Sequence, residues 1–515
     1  MAASMLAPSL RVPVPVVFVL GATGTGKSKL AIEIGRRFNG EIISTDSMQV
    51  YQGLDIVTNK VTSEEQDLCP HHMINYVSPL EEDYHIHRFR GKALPVIEQL
   101  LRDKKLPIVV GGTNYYIESL LWNTLIKSED IQRAKMSSEP SEGKEGDIEA
   151  NKACEKEGKD GDTETNRKEE VDKLSEVVTE EESCNHLRSE KDSVYRDLDT
   201  RTLYQSLQSI DPLTASRLHP NDRRKMLRAL EVYDVHGVPV SEIYKAQKSA
   251  DCQGVTKLRY PNTCVLWVQS EQSVLDDRTN KRVDTMIERG LIQELLDFHQ
   301  QYNAKREREN REIDYTTGIF QSIGFKEFHE YLLLSEEERN SEKGKLMFEK
   351  GVDKMKTATR QYARRQIHWI KSRLLRYKGS NPPPVYAVDS TDVSQWKEKV
   401  HDPAIQIVQD YVNGVVPSQE PVPLTEYDDE KEFNHCKICN KTFVMKKKWQ
   451  NHLKSSKHYR RQKSIKKRLG ETSVILDKFI EMRIEKRTMG DPNSISDSSD
   501  VQTPDKEDSA GIEGS

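Results

Sequence analysis

Short apolar runs alternate with helical periods over the first part of the chain. Four runs have the length and composition of buried strands: 16–20, 41–44, 106–110 and 263–268. After the first run, Leu30, Ile34 and Phe38 recur at every fourth position, which predicts an amphipathic helix over 27–38. Strands that alternate with helices are typical of a parallel sheet with helices on its faces. The pattern therefore predicts an α/β fold.

Interruptions of this pattern divide the chain into segments. Residues 127–192 are rich in Glu, Lys, Ser and Gly and include no aromatic residue, so they cannot bury enough apolar surface to become ordered. Helical periods resume after them and stop at the proline-rich residues 381–384. We predict, in order, the first part of an α/β core (14–126), a disordered insertion (127–192), a helical region with the rest of the core (193–380), a linker (381–432), a Cys/His module (433–459), and a basic stretch with a disordered acidic tail (460–515).

The composition narrows the class of protein. Charged residues make up 31% of the chain and hydrophobic residues only 35%, which favours a globular part accompanied by solvated segments. The net charge of −5 does not identify a partner, because basic and acidic stretches cancel. Seven cysteines in 515 residues exclude a disulfide-stapled secreted scaffold and favour a reducing compartment. No apolar run approaches the length of a transmembrane helix, so we expect no membrane association.

A phosphate loop follows the first predicted strand. Residues 21–28, GATGTGKS, match the pattern G-x-x-x-x-G-K-[ST] in the strand-loop-helix context that the pattern requires. Glycines let backbone N–H groups converge on a phosphate, and the positive end of the helix faces the anion. Lys27 adds a charge, and Ser28 can hold Mg²⁺. The predicted diphosphate-binding residues are Thr23, Gly24, Thr25, Gly26, Lys27 and Ser28. The loop alone does not distinguish a diphosphate from a triphosphate.

Polar residues end the next two strands, where ligands of such sheets bind. Asp46 is the only carboxylate at the three strand ends. It could hold Mg²⁺ or take a proton from an alcohol in a kinase, take a proton from the nucleophile in a group transferase, or only stabilise a turn. Gly111, Gly112 and Thr113 end the third strand. They offer close backbone approach and one hydroxyl group, or a plain strand-to-helix turn.

Longer blocks of sequence carry a family resemblance. Before the insertion the chain contains GATGTGKSKLA, ISTDSMQVYQGLDI-x-TNK, PHH and PIVVGGTNYYIESLL. After it come HPNDRRKMLRALEVY, LDDRTNKRVDTMI-x-x-GLIQE, QSIGFKEF and TRQYARRQIHWIK. In this order they resemble the tRNA dimethylallyltransferase (tRNA isopentenyltransferase) family over most of 14–126 and 195–375. The segment 127–192 departs from the bacterial pattern, in which a shorter connection stands.

The resemblance implies a fold and an activity. The fold would be a P-loop NTPase-like parallel sheet with a helical tRNA-binding insertion, a C-terminal helical region and a small zinc-finger module. The enzyme would transfer a dimethylallyl group from dimethylallyl diphosphate to N6 of the adenosine 3′ of the anticodon, at tRNA position 37. Asp46 would take the proton from N6, Thr113 would be a second catalytic contact, and Mg²⁺ would assist. Arg278 and Arg282, one helical turn apart, would clamp the diphosphate unless they form a solvated face.

The implied partner is the anticodon stem-loop of tRNA, whose target adenosine must leave its stack to react. The resemblance implies these tRNA-binding residues: Asp46, Ser47, Met48, Gln49, Arg224, Lys225, Met226, Leu227, Arg228, Gln321, Ser322, Ile323, Gly324, Phe325, Lys326, Glu327 and Phe328. Tyr362, Arg364, Arg365 and Trp369 interleave aromatic and basic side chains, as nucleic-acid-binding surfaces do.

The module at 433–459 has the spacing of a zinc finger, Cys-x2-Cys-x12-His-x5-His. The ligands of a closed, structural Zn²⁺ site would be Cys436, Cys439, His452 and His458. Phe443 and Leu453 would supply its small core. Lysines and arginines surround the module, and a lone finger is too short to specify a target, so we expect an auxiliary RNA contact. The module resembles the eukaryotic branch of the family.

Two other functions compete with the transferase. A P-loop small-molecule kinase would use ATP and Mg²⁺, but it accounts for neither the basic blocks nor the finger. A non-enzymatic RNA-binding zinc-finger protein would not need the intact phosphate loop and Asp46. We expect a monomer in the cytoplasm and mitochondria, with a further nuclear location open. The single basic residue before the first strand, Arg11, is a weak mitochondrial signal.

Overall fold

The computed structural model describes residues 12–81, 84–123, 195, 198–250, 258–308, 315, 317–376, 382–425 and 431–469. The predicted insertion 127–192 and the acidic tail lie outside these residues. The chain forms two compact units, one from residues 1–186 and 242–427 and the other from residues 187–241 and 428–515.

One parallel sheet of six strands organises the first unit. Its strands are β1 (Val16–Gly21), β2 (Gly40–Ser44), β3 (His71–His72), β4 (Leu106–Val110), β5 (Thr263–Gln269) and β6 (Val385–Asp389). They lie in the order β3-β2-β4-β1-β5-β6, and each neighbouring pair is parallel. The predicted α/β fold with a parallel sheet is confirmed. The strand β1 is central, with β4 and β2 on one side and β5 and β6 on the other.

Helices connect the strands and form the rest of both units. They are α1 (Lys27–Phe38), α2 (Ser63–Leu68), α3 (Ile86–Arg102), α4 (Asn114–Leu121), α5 (Thr200–Ile210), α6 (Pro212–Arg217), α7 (Arg223–His236), α8 (Val240–Ala250), α9 (Gln272–Glu288), α10 (Leu291–Arg308), α11 (Phe325–Leu332), α12 (Glu336–Arg339), α13 (Glu342–Arg373), α14 (Asp402–Asn413), α15 (Lys446–Leu453) and α16 (Ser456–Leu469). No helix in the described part of the chain is both long enough and apolar enough to cross a membrane.

Both faces of the sheet are covered, which explains the uninterrupted apolar runs in the sequence. Along β1, Val16 and Phe18 belong to the core on one face, and Val17 and Val19 belong to the core on the other. Successive side chains of a strand point to opposite faces, so a strand that is buried on both faces has apolar residues throughout. The amphipathic helix predicted over 27–38 is α1, and its Leu30 and Ile34 are fully buried.

Two strands of the six-stranded sheet were not predicted from the sequence, and part of the predicted linker is wrong. The strand β3 has only two residues, and β6 has five and follows the proline-rich residues. β6 pairs with β5 and completes the sheet, while α14 buries Ala404, Ile407 and Val408 in the core on one face. Residues 385–413 therefore belong to the core, whereas the sequence had predicted a linker over 381–432.

The second unit joins helices to the C-terminal module. The strands β7 (Lys431–Cys436) and β8 (Lys441–Met445) form an antiparallel pair. Asp211 ends α5, and its carboxylate accepts a hydrogen bond of 2.9 Å from the Ser241 N–H group. His219 donates from Nε2 to the Thr442 carbonyl at 2.9 Å, while its Nδ1 accepts from the Asn221 N–H group at 3.1 Å. The module therefore packs with the helical region that precedes it in this unit.

Candidate active site and zinc centre

The carboxyl ends of β1, β2 and β4 surround a cavity of about 280 Å³. Its wall combines the phosphate loop, the turns that follow β2 and β4, and side chains from α9 and α13. The residues that line it include Thr23, Gly24, Gly26, Lys27, Ser28, Asp46, Gln49, Lys60, Gly111, Gly112, Arg282, Tyr362 and Gln366. The structure thus brings the predicted phosphate loop, Asp46 and the double-glycine turn to one site.

The phosphate loop has the backbone conformation that its glycines predict. Gly24 and Gly26 have φ values of +89° and +90°, in the left-handed region that strains other residues. α1 begins directly afterwards at Lys27, and its first turn contains no acidic residue. The free N–H groups at the start of α1 and the positive end of its dipole are therefore available to an anion.

Two cations face this cavity, the buried Lys27 and the partly buried Arg282. The Lys27 ammonium donates to the Ala22 carbonyl at 2.7 Å, and Arg282 donates to the Thr23 hydroxyl at 2.5 Å. Burial and, to a smaller extent, the Arg282 guanidinium lower the pKa of Lys27 to about 7, although the Asp46 carboxylate opposes both effects. Burial also lowers the pKa of Arg282. Desolvated positive charges of this kind are stabilised by an anion between them.

Asp46 is held by its own turn and still faces the cavity. One carboxylate oxygen, Oδ1, accepts from the Met48 N–H group at 3.0 Å, which is the turn-stabilising role considered from the sequence. The residue also lines the cavity, so the hydrogen bond within the turn orients the carboxylate and leaves it accessible to a ligand. Burial raises the pKa of Asp46, while the Met48 hydrogen bond and the charge of Lys27 oppose the rise. A desolvated carboxylate is a stronger base than one in water.

The turn after β4 requires glycine because other groups approach it closely. A Cβ atom on Gly112 would lie 3.0 Å from Asp46 Oδ2 and 3.0 Å from the Tyr362 hydroxyl. The Gly112 carbonyl accepts from Tyr362 and from the Gln366 amide, both at 2.9 Å. Gln366 also accepts from the Thr23 N–H group at 2.8 Å. Its side chain therefore joins the phosphate loop to the β4 turn.

Tyr362, interpreted from the sequence as part of a nucleic-acid-binding surface, and Gln366 are also residues of this site. They lie one helical turn apart on α13 and line the cavity, whereas Arg364 and Arg365 between them are exposed. Their spacing of four residues was the available signal for a shared face. The tryptophan of the same stretch, Trp369, packs against the core and is only partly exposed.

Thr113 and the two arginines of α9 occupy different settings. The Thr113 hydroxyl accepts from the Ser47 N–H group at 2.8 Å and donates to the Ser47 hydroxyl at 3.0 Å. It therefore ties the turn after β4 to the turn that holds Asp46. Arg282 lines the cavity, but Arg278 donates to the Thr391 carbonyl at 2.9 Å, beside the segment that follows β6. Of the two, only Arg282 is among the residues that line the cavity.

A loop of residues 50–60 forms another part of the wall, and two charged side chains fix it. The Lys60 ammonium donates to the Tyr51 carbonyl at 2.7 Å and to Asp55 at 2.9 Å. From α10, Glu294 accepts from the N–H groups of Ile56 and Val57 at 2.9 Å and 2.8 Å. Both side chains belong to sequence blocks of the family resemblance, but no pattern in those blocks predicts that they hold this loop.

The C-terminal module brings four metal-binding side chains together. The donor atoms of Cys436, Cys439, His452 and His458 all lie within 4.8 Å of one another. His458 Nδ1 is 3.6 Å from Cys436 Sγ, 3.4 Å from Cys439 Sγ and 3.1 Å from His452 Nε2. Two thiolates and two imidazoles in a compact, mostly buried cluster fit the tetrahedral preference of structural Zn²⁺.

The small core of this module differs from the expected one. Phe443 stacks on His452 with ring centroids 4.4 Å apart, and its ring lies 5.7 Å from that of Trp449. Leu453, predicted to be a core residue, is 44% exposed. It is the last residue of α15, and Trp449, one turn earlier, takes the predicted place beside Phe443.

Comparisons with known proteins identify the family of this chain. Residues 49–171 and 168–373 match the family model of the IPP transferases. A tRNA dimethylallyltransferase of Mus musculus is 41% identical over 453 residues, which cover 87% of this chain and 86% of the mouse protein. The chain belongs to this family. A tRNA dimethylallyltransferase of Homo sapiens is 40% identical over 89% of this chain and 88% of the human protein.

A solved structure extends this family relationship to the fold. Crystal structures of a eukaryotic dimethylallyltransferase acting on tRNA match this chain with a TM-score of 0.63 and 30% sequence identity. The match covers 92% of this chain and 100% of the other.

In this IPP transferase family member, the predicted tRNA-binding blocks contain both exposed and buried side chains. On α7, Arg224, Lys225 and Arg228 are exposed and Leu227 is partly exposed, whereas Met226 is fully buried. The exposed cations are therefore the side chains of this block that can reach a phosphate backbone. Met226 instead supplies the packing that holds the helix.

The block 321–328 follows the same division. Gln321 and Lys326 are exposed, and Ile323 is partly exposed. Phe325 and Phe328 are fully buried, and Ser322 is nearly so. The Glu327 carboxylate accepts from the Gly324 N–H group at 2.8 Å and caps the start of α11. Most of this block thus shapes the backbone, and Gln321 and Lys326 present side chains to solvent.

Near the cavity, the remaining predicted residues are placed by the turn after β2. Ser47 is held by Thr113, as described above, and Met48 packs against the core as a partly buried side chain. The Gln49 amide donates to the Asn59 carbonyl at 3.0 Å and accepts from the Ser44 hydroxyl at 3.0 Å. Gln49 therefore links the β2 turn to the loop of residues 50–60.

Proposed function

We propose that the chain transfers a dimethylallyl group from dimethylallyl diphosphate to N6 of the adenosine 3′ of the anticodon in tRNA, at position 37. One observation carries the proposal: a partly buried carboxylate, Asp46, and two cations, the buried Lys27 and the partly buried Arg282, face one cavity. The cations suit a leaving diphosphate, and the carboxylate suits a nucleophile that must lose a proton.

The phosphate loop supports the donor half of the reaction. As the allylic C1–O bond breaks, negative charge grows on the departing diphosphate. The N–H groups at the start of α1, together with Lys27 and Arg282, lie where they can stabilise that charge. They are preorganised in a buried wall, so little reorientation is needed during the reaction.

A divalent cation fits the same wall. Ser28 lines the cavity and offers a hydroxyl oxygen, the kind of donor that Mg²⁺ prefers. Bound through Ser28 and the diphosphate, Mg²⁺ would neutralise part of the charge of the leaving group.

Asp46 supports the acceptor half. The exocyclic amine of adenine is a weak nucleophile, because its lone pair is delocalised into the ring. Asp46 accepts a hydrogen bond from N6, the N6–C1 bond forms as the C1–O bond breaks, and the amine proton passes to the carboxylate. The products are N6-dimethylallyladenosine and diphosphate, so atoms and charge balance. Gly112, which has no side chain, leaves room for the reacting groups beside Asp46.

The RNA substrate follows from the relatives and from the basic surface. The mouse and human relatives are named for dimethylallyl transfer to tRNA, and the matched crystal structures are of an enzyme acting on tRNA. Arg224, Lys225, Arg228 and Lys326 present exposed cations in the blocks predicted to bind tRNA. We further propose that the active form is a monomer.

The test is analysis of nucleosides from tRNA after incubation with the full chain, Mg²⁺ and dimethylallyl diphosphate. Mass spectrometry should detect N6-dimethylallyladenosine, and only when the diphosphate is supplied. A parallel incubation with ATP alone should consume no ATP. Consumption of ATP without any modified nucleoside would favour the P-loop kinase, and binding of tRNA with neither reaction would favour the non-enzymatic protein.

The zinc module is proposed as an auxiliary RNA contact, and its removal gives a separate prediction. Cys436→Ser combined with Cys439→Ser should abolish zinc binding and unfold the module 433–459, because a structural zinc supplies most of the folding free energy of so small a module. KM for tRNA should rise, while KM for dimethylallyl diphosphate stays unchanged. Each lost phosphate contact should flatten the log–log salt dependence of tRNA binding by about one unit of slope.

Zinc content, hydrogen exchange of residues 431–469 and tRNA affinity at several salt concentrations measure these effects. The matched control is the same Cys→Ser exchange at Cys154 and Cys184, in the segment predicted to be a disordered insertion. Loss of zinc with unchanged tRNA affinity and unchanged salt slope would assign the module to a protein partner instead.

A further inference from the structure

The segment that follows β6 places a tryptophan directly on the phosphate loop. A Cβ atom on Gly26 would lie 2.7 Å from Cη2 of Trp396 and 2.8 Å from its Cζ3. The Trp396 indole N–H group donates to both carboxylate oxygens of Glu33 on α1, at 3.0 Å and 3.2 Å. The Lys29 ammonium lies 4.5 Å from the centroid of the indole ring. Trp396 is 8% exposed, so its ring fills the space outside the loop.

Several contacts fix this segment in place. Ser390, fully buried, donates to the Gln269 carbonyl from both its N–H group and its hydroxyl, each at 2.8 Å. The Thr391 carbonyl accepts from Arg278 at 2.9 Å, and the Thr391 hydroxyl accepts from the Glu271 N–H group at 3.0 Å. The cover over the loop is therefore anchored at the end of β5 and on α9, and it is not a loose side chain.

The two sides of the phosphate loop differ in what covers them. Asp46 and Gly112 follow β2 and β4, on one side of β1. Trp396 follows β6, on the other side of β1. The first side opens into the cavity, and the second is closed by the indole ring over Gly26 and Lys29.

This asymmetry separates two classes of ligand. In a nucleotide complex, the loop backbone holds the α- and β-phosphates, while the lysine reaches the β- and γ-phosphates. The nucleoside of such a ligand therefore extends past the phosphate loop and the first turn of α1. The terminal phosphate, at the other end of the ligand, faces the acceptor. An allylic diphosphate carries one organic group, and the carbon that joins this group to the diphosphate is also the carbon that reacts. Such a ligand therefore needs an opening on only one side of the phosphate loop.

We propose that Trp396 is a specificity-determining residue that excludes nucleoside diphosphates and triphosphates from the phosphate loop. The inference rests on the proposed use of an allylic diphosphate and adds the class of ligand that the site rejects. The indole ring occupies the space that the nucleoside would need. The selectivity therefore comes from a steric clash with the rejected ligand and not from additional attraction to the accepted one.

Titration calorimetry of the full chain with Mg²⁺ and pyrophosphate, ADP or ATP tests the inference without any transferase assay. The wild-type chain should bind pyrophosphate and should bind ADP and ATP at least about tenfold more weakly. Trp396→Leu keeps an apolar contact with the core but removes the overhanging ring. It should strengthen ADP and ATP binding by about tenfold or more, while pyrophosphate affinity changes by less than about threefold.

Trp396→Phe is the matched control, because a phenyl ring keeps most of the cover but loses the hydrogen bond to Glu33. It should remain selective against ADP and ATP. Three results would overturn the inference. The first is a wild-type affinity for ATP equal to that for pyrophosphate, and the second is an equal gain of affinity for ADP and ATP in Trp396→Phe and Trp396→Leu. The third is loss of pyrophosphate binding in both variants. The last would show that Trp396 builds the loop and does not select its ligand. None of the three removes transfer to tRNA, which the nucleoside analysis measures separately.

Discussion

Asp46→Asn is expected to lower kcat by about 10²- to 10⁴-fold, the range for loss of a general base, while tRNA affinity stays close to that of the wild type. Asparagine keeps the shape of the side chain, and its amide oxygen can still accept from the Met48 N–H group that orients Asp46. What it loses is the capacity to take a proton from N6. Single-turnover kinetics with saturating tRNA and dimethylallyl diphosphate measure the chemical step directly.

The matched control is Asp67→Asn, an exposed carboxylate on α2 that does not line the cavity. It should leave kcat unchanged. A kcat of Asp46→Asn within a few-fold of the wild type would leave only the turn-stabilising role for Asp46, and the proton acceptor would have to be sought elsewhere.

The pH profile gives a second signature of the same group. Burial raises the pKa of Asp46, and only the deprotonated carboxylate can accept the proton. The rate should therefore fall as the pH drops through this raised pKa, at a higher pH than for an ordinary aspartate in water. In Asp46→Asn the acid limb assigned to this group should disappear, and its persistence would assign the limb to another residue.

The phosphate loop shows how far local sequence reaches. The residues GATGTGKS specify a strand end, two left-handed glycines and a helix start, all within eight positions. The geometry of such a segment depends mainly on neighbours along the chain, so the sequence predicts both the conformation and the ligand class. The zinc cluster is similar, because four ligand types at fixed spacing leave few alternative arrangements. The small core of this module cannot be predicted in the same way, because Trp449 and Leu453 lie on one short helix and either position could face Phe443.

Gln366 shows where local sequence stops being sufficient. Its amide joins Thr23 to Gly112, residues that lie 343 and 254 positions away along the chain. Neither partner can be identified without knowing that α13 passes beside the ends of β1 and β4. Arg364 and Arg365 precede it, and together with the neighbouring aromatic residues they form a pattern that is typical of an RNA-binding surface. This pattern does not reveal that Tyr362 and Gln366 line the cavity.

The end of the sheet raises the same problem. β6 has five residues after a proline-rich stretch, and its stability comes from pairing with β5, more than a hundred positions earlier. Short strands carry too little periodicity to be separated from loops. Because β6 was not predicted, the position of Trp396 over Gly26 could not be predicted either.

Lys27→Met is expected to weaken pyrophosphate binding by about 30- to 1000-fold, the cost of removing one partner of a buried charge pair. Methionine keeps the length and the apolar contacts of the side chain and removes only its charge and hydrogen bonds. Arg282 and the start of α1 remain, so binding should be weakened and not abolished. Lys345→Met, an exposed lysine on α13 outside the cavity, is the matched control and should bind pyrophosphate as the wild type does.

Proton linkage makes this prediction specific to Lys27. The pKa of Lys27 is about 7, chiefly because of burial, so the free enzyme carries a largely neutral amine at about pH 8. A bound diphosphate places negative charge beside the amine, raises its pKa again and draws a proton from the solvent. Below about pH 6 the amine is already protonated, and no proton is taken up by this group.

Calorimetry in buffers of different ionisation enthalpy should therefore show that the wild type takes up close to one proton more than Lys27→Met at about pH 8, and that this difference vanishes at low pH. Protonation of free pyrophosphate is the same in both titrations and cancels in the difference. Equal proton uptake by the two proteins at about pH 8 would mean that Lys27 stays charged in the free enzyme, and the neutral, desolvated lysine would be ruled out as a feature of the diphosphate site.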